Sequence, residues 1–299
     1  MRLILSALLC LWPASAAADP PRVLADIGPV HALVASVTGQ NTVPGLLVAG
    51  GSDPHQMQLR PSQARALARA DIVFWVGPAL APWLEAPLET LAPGARRIAL
   101  LDQLPAPRRG ADASPDPHAW LDPRNAAVWL DAIAETLAGA DPENASTYRA
   151  NATAGRQDML ALEAELRALL APARGRRFVT WHGAFGYFAE AFGLEVAATV
   201  TDTDAVPPGP ARLREIRALL GSGDIDCLVL EPETHRALAE SLTRGTRVRR
   251  VTLDPLGRDL PAGPDLLAAL LRRIAAGLAE CASGRGPGRQ DGLSLPSPP

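Results

Sequence analysis

The chain contains no lysine: all 29 of its basic residues are arginine. That bias reads as genome composition rather than function. It brings no excess of positive charge either, because 32 acidic residues leave a formal net charge of −3. With no basic face to advertise, nucleic acid is not an expected partner. Histidine is scarce, with 5 residues (His31, His55, His118, His182 and His235), so any metal site must be drawn from a short list. Cysteine is scarcer still, with 3. Beyond the first residues no run is long and apolar enough to cross a bilayer. What remains is ordinary: 299 residues, about two domains' worth, with a hydrophobic fraction of 47% that can build real cores.

Residues 1–18 read as an export signal. Arg2 gives a minimal positive start, and residues 3–12 form an apolar run too short to span a membrane. Ala16, Ala17 and Ala18 then offer a small-residue cleavage site before Asp19. Cys10 invites a lipid anchor, but the bulky Leu9 precedes it and the apolar run continues past it. The mature chain is therefore expected in the periplasm, as a monomer. It retains Cys227 and Cys281, and an even pair in an oxidising compartment suggests a disulfide, with two buried thiols as the alternative.

Short apolar runs alternate with helical periodicities along the whole chain. Strands are expected at 22–27, 42–49, 71–76 and 96–101, with helices at 29–38, 61–69, 83–91 and from Pro123 onward. The alternation restarts with strands at 177–181, 195–200, 226–230 and 246–253, and helices at 184–192, 207–220, 234–243 and 264–281. Such βα alternation implies parallel sheets with helices on both faces. A long helix from Asp141 to about Leu170 separates the two sets. Its later half is amphipathic (Met159, Leu162, Leu166, Leu169, Leu170) and its earlier half polar, which suits a connector. The expected architecture is α/β: an N-terminal lobe at 19–140, a linking helix at 141–171, and a similar C-terminal lobe at 172–282. The tail at 283–299, rich in Gly, Pro and Ser, is expected to be disordered.

Chemistry concentrates where strands end. The segment Asp116-Pro117-His118-Ala119-Trp120-Leu121-Asp122-Pro123 fixes a histidine in a stiff turn, then opens a helix with Asp122 as N-cap and Pro123 at the first helical position. His55, His118, His182 and Asp254 each follow a predicted strand, two in each lobe. Ligands of open α/β sheets bind outside the carboxyl ends of the strands, so facing lobes would bring all four into one cleft. Three imidazoles and one carboxylate favour Zn²⁺ in a tetrahedral shell, whereas Mn²⁺ prefers more oxygen. Four protein donors leave no open position, which is the pattern of binding rather than catalysis.

These runs resemble the metal-binding solute receptors of bacterial ABC importers. The resemblance rests on the Asp-Pro-His-x-Trp-Leu segment, on Pro54-His55 followed by Leu59-Arg60-Pro61-Ser62, and on Trp181-His182-Gly183-Ala184-Phe185-Gly186-Tyr187-Phe188. The run 208–217, Glu231-Pro232, and Thr252-Leu253-Asp254-Pro255-Leu256-Gly257 continue it in order. It is closest to the zinc-specific, ZnuA-type branch. The resemblance implies two lobes bridged by a long helix with zinc between them, and delivery to an inner-membrane ABC permease. It implies His55, His118 and His182 as ligands, Asp254 as a fourth or nearby carboxylate, and a disulfide between Cys227 and Cys281. It departs from the branch at 104–115, which carries Arg108, Arg109 and Asp112 but no histidine, and at Pro54, where some relatives carry Glu.

Two rivals share these residues. A Mn²⁺ or Fe²⁺ receptor of the same fold would be better served by a carboxylate at position 182. A three-histidine zinc hydrolase or lyase would need a nearby general base, and none is found by spacing. Zinc affinity is expected to fall as pH drops through the histidine range, about 6.5. His31 is expected on the surface or the cleft rim, and His235 as a solvated helix residue. Glu231 is read as structural, and Trp120 and Trp181 as either site walls or ordinary core.

Overall fold

The apolar runs are short, and so are the strands they form in a computed structural model of the chain, which describes residues 19–48, 53–108, 114–201 and 208–284. Strands β1 (Val23–Ala25), β2 (Gly45–Leu46), β3 (Ile72–Trp75) and β4 (Arg96–Ala99) make one sheet in the order β2-β1-β3-β4. Strands β5 (Arg177–Thr180), β6 (Glu195–Thr199), β7 (Cys227–Leu230) and β8 (Arg249–Thr252) make a second, in the order β6-β5-β7-β8. Every pairing is parallel. The central strands β1, β3 and β7 are apolar and buried throughout, as strands covered on both faces must be. Both orders reverse direction beside the first strand of the set. This opens a crevice at the carboxyl ends of β1 and β3, and another at those of β5 and β7.

Every strand is trimmed relative to its sequence pattern, and β2 and β8 lose the most. Over 42–48 the described residues yield only β2, since Pro44 has no N–H to give the ladder and pairing begins after it. The run 246–253 yields only β8, because Thr246 is spent on the turn that closes the preceding helix, with its N–H and hydroxyl both donating to Thr243 O.

Nine helices flank the sheets among the described residues: α1 (Gly28–Thr38), α2 (Pro61–Arg69), α3 (Glu85–Leu91), α4 (Pro123–Ala140), α5 (Ala145–Leu169), α6 (Gly186–Phe192), α7 (Pro210–Gly221), α8 (Arg236–Thr243) and α9 (Leu266–Ser283). Helix α4 starts as its sequence dictates: Asp122 Oδ1 accepts the Arg124 N–H at 2.9 Å, with Pro123 at the first helical position. The long helix α5 starts after a single 3₁₀ turn, Pro142–Asn144. Its earlier half is not the bare polar rod its composition suggests. Tyr148 and Ala152 are buried, Tyr148 donates to Asp141 Oδ2 at 2.7 Å, and Asn151 donates to Val37 O at 3.0 Å.

One apolar core is continuous from the first sheet to the second. It runs from Ala25, Phe74 and Val34 through Trp129, Ile133 and Leu166 to Phe178, Phe188 and Leu270. Smaller clusters cover the outer face of each sheet, around Leu67, Trp75 and Leu84 in one and Trp181, Ile216 and Leu228 in the other. The link is therefore not α5 alone. Helix α9 packs on α1 and on α5, and Arg272 forks onto Glu165 with both contacts at 2.8 Å. The Cys227–Cys281 disulfide ties α9 to the centre of the second sheet, with Cα atoms 6.2 Å apart across 54 residues of chain. A loop of that length stabilises by about 4 kcal/mol in the chain-entropy account. Among the described residues no helix is long and apolar enough to cross a membrane.

Candidate metal centre

Two of the three clustered histidines are built on the same tripeptide. Asp53-Pro54-His55 follows β2 and Asp116-Pro117-His118 follows β4, and in each the aspartate accepts the histidine N–H, at 2.9 and 3.0 Å. The short Asp side chain mimics a backbone turn and the proline fixes φ, so the imidazole leaves a stiff bend. Trp83 anchors the first bend by donating to Pro54 O at 2.8 Å. His182 arrives differently, two residues beyond β5 and just before the 3₁₀ turn Gly183–Phe185. The ring centroids lie 5.7 Å (His55–His118), 5.6 Å (His55–His182) and 4.8 Å (His118–His182) apart. One nitrogen from each ring lies within 4.8 Å of the others.

Buried carboxylates orient two of these rings. His118 Nδ1 is 2.9 Å from Asp116 Oδ1, and His182 Nδ1 is 3.0 Å from Glu231 Oε1. All four groups are buried. A carboxylate beside Nδ1 accepts a hydrogen bond from a proton kept there, which leaves Nε2 as the nitrogen able to face a metal. Burial holds the His118 pKa below the ordinary histidine value, with the neighbouring His182 adding to this and Asp116 opposing it. The ring is thus neutral near pH 7, the form that ligates metal. Burial pushes the Asp116 carboxyl up, but His118 and Arg108 together hold it below its usual value. The pairing of His182 with Glu231 follows from the ladder: Thr180 is in register with Val229, so the residues two further along each strand leave side by side.

These rings line a cavity between the halves, with Glu231, Glu233 and Arg258 also at its wall. Asp254 stands elsewhere. Its carboxylate accepts the N–H of Leu256 at 3.0 Å and of Arg258 at 2.6 Å, and pairs with Arg258 Nε at 3.2 Å. Burial raises its pKa against those N–H bonds. The structure brings His55, His118 and His182 together and leaves Asp254 outside their group.

Other sequence expectations fare unevenly. Glu231, read as structural, instead holds a clustered histidine, and Asp116 does the same for another. Strand register and the i, i+2 Asp-Pro-His spacing were the signals available for them. His31 is not on the surface: it is buried, with Nε2 3.1 Å from Pro44 O, because the loop before β2 folds over the start of α1. His235 is exposed at the start of α8, as expected. Trp120 is both wall and core, buried beside His118 and donating to Pro255 O at 2.8 Å. Trp181 packs in the outer core of the second sheet. The predicted signal at 1–18 and most of the tail at 283–299 lie outside the described residues.

A family model described as "Zinc-uptake complex component A periplasmic" matches residues 23–281. The chain is 39% identical over 317 residues to the high-affinity zinc uptake system protein ZnuA of Paracoccus denitrificans, covering 93% of this chain and 97% of that one. Among solved structures it is similar to the periplasmic zinc-binding protein TroA of Treponema pallidum, with a TM-score of 0.79 at 22% identity over 88% of this chain and 99% of the other. It is equally similar to a Mn²⁺ complex of FpvC from Pseudomonas aeruginosa, with a TM-score of 0.79 at 23% identity over 89% and 99%. At such identities the structural matches speak for the fold alone.

Proposed function

The chain belongs to the family of periplasmic zinc-uptake complex components, receptors rather than enzymes, and from that premise we propose that it captures Zn²⁺ and hands it to an inner-membrane ABC permease. The observation that carries this reading is the convergence of three imidazoles from both halves, two of them fixed at Nδ1 by buried carboxylates. His55, His118 and His182 hold the ion. The fourth donor of a tetrahedral shell is then a water, or Asp254 once it exchanges Arg258 for the metal. The nitrogen-rich donor set favours zinc over Mn²⁺.

In this reading residues 1–18 are the removed signal, 19–140 and 172–282 the two lobes, and 141–171 the link, acting as a monomer. The core shared by both lobes limits them to small relative tilts. The test is metal content and competition on the metal-stripped mature protein, with Zn²⁺ and Mn²⁺ at equal concentration. One zinc per chain, lost in His118→Ala, is expected; preferential Mn²⁺ binding would sink the zinc assignment.

A further inference from the structure

Beside the site the Arg108 cation ties the halves together. Arg108 lies in the loop after β4, on the N-terminal side. Its guanidinium contacts Asp116 Oδ2 at 2.7 Å and Glu190 Oε2 at 3.4 Å, and its backbone N–H donates to the Tyr187 hydroxyl at 2.7 Å. Tyr187 and Glu190 belong to α6, the helix that follows His182. The Arg108 carbonyl in turn accepts the Asp116 N–H at 2.8 Å. Asp116 is therefore gripped from two sides, with Oδ2 on Arg108 and Oδ1 on the ring and N–H of His118.

The first residue of α6 is shaped to this contact. Gly186 has φ −60° and ψ −50°, which any residue adopts, so its backbone does not call for glycine. Space does. A Cβ there would overlap the Arg108 guanidinium and come within 2.8 Å of Asp116 Oδ2. Asp116 is buried and committed to His118, so the arginine is the group that would be displaced.

We propose that Arg108 is a positioning residue for metal capture, seated on the bare backbone of Gly186 so that Asp116, and through it His118, is held in register with the half that carries His182. This rests on the receptor reading above. It gives Arg108, within the histidine-free segment, a purpose: it straps the lobes beside the site. The strap slows metal release, because His118 cannot turn away while Asp116 is clamped.

The test uses the full chain and four variants: Arg108→Ala, Arg108→Lys, Gly186→Ala and the Arg108→Ala/Gly186→Ala double. Chelator-triggered Zn²⁺ release is expected to be about 3- to 30-fold faster in Arg108→Ala and in Gly186→Ala. That range is centred lower than the roughly 10- to 100-fold typical of a group bonded directly to a ligating histidine, and overlaps its weaker end. Arg108→Lys recovers part of the loss, and the double variant is no worse than Gly186→Ala alone, since the added Cβ already evicts the arginine and its contact with Asp116 Oδ2 is common to both. In the metal-free protein the His118 Nδ1 proton resonance is expected to be sharp in wild type and broadened in both single variants. Wild-type release rates with an unchanged resonance overturn the proposal, as do effects that multiply in the double variant. A wild-type chain that holds no zinc overturns the receptor reading instead, and the metal-free resonance still decides the clamp.

Discussion

The two sheets share one strand order and put the same place in it to different use. Where β1 ends, Asp26 turns inward: Oδ1 accepts the Ile27 N–H at 2.7 Å and Oδ2 the Val76 N–H at 2.8 Å, stitching β1 to β3. Where β5 ends, His182 faces the cavity, and the carboxylate of Glu231 beyond β7 holds it there. One crevice is closed by a buried carboxylate on backbone, and the other is opened by a buried carboxylate on a ring. The first half must therefore supply its histidines from the outer strands, through the Asp-Pro-His turns after β2 and β4. A shared topology sets where a site can form, and single side chains at the strand ends decide whether it does.

This contrast can be broken at either side. The largest effect is expected from His182→Ala, which should weaken zinc by on the order of 10²-fold or more in a competition titration, as loss of one of few donors does. An unchanged affinity would remove the second crevice from the site. Glu231→Ala should cost about 10- to 100-fold, with Glu231→Gln closer to wild type because it still accepts from Nδ1. A null result there would mean the ring is oriented by packing alone.

Asp26→Ala should act on the fold instead. It leaves two buried N–H groups unpaired and is expected to lower stability by about 1–3 kcal/mol in urea titrations, with zinc affinity of the folded protein unaltered. Burial pushes the Asp26 pKa up to about 7, despite the backbone N–H groups of Val76, Ile27 and Asp26 itself that favour its charged form. The native carboxyl thus keeps a proton that the unfolded chain releases near about pH 4, so its contribution is full below that value and is lost as pH rises towards 7. Asp26→Asn should flatten this decline, and equal declines in wild type and variant between pH 5 and 7 would refute the shift. The smallest effect, under about 10-fold on zinc affinity, is expected from Asp254→Ala, since the metal must compete for that carboxylate with Arg258 and two backbone N–H groups. A loss as large as that of a histidine would make Asp254 a full ligand.

Much of this was legible in the residues. Alternating apolar runs predicted two parallel sheets, and strand-end positions singled out His55, His118 and His182, because those signals are local. What escaped was set by tertiary packing. The polar start of α5 gave no sign that Tyr148 would be buried on Asp141, a pairing made across a turn. His31 looked like a surface residue because a helix start says nothing of the loop that will cover it. The hold of Glu231 on His182 depends on strand register, and that of Arg258 on Asp254 on a turn whose course no periodicity encodes. Arg108 read as a mere departure from family pattern, since Tyr187 and Glu190, which it holds besides Asp116, are on the far side of the cleft.

The packing of α9 against α1 has a consequence for how the molecule is made. The last helix completes a surface begun by the first, and its Cys281 is bonded to Cys227 in the second sheet. A chain emerging N-terminus first would have α4 and α5 to cover much of α1, but the part of α1 that meets α9 would stay uncovered until almost its whole length had appeared. The last helix is thus a late closing piece shared by both halves, and a truncation that removes α9 is expected to cost both together.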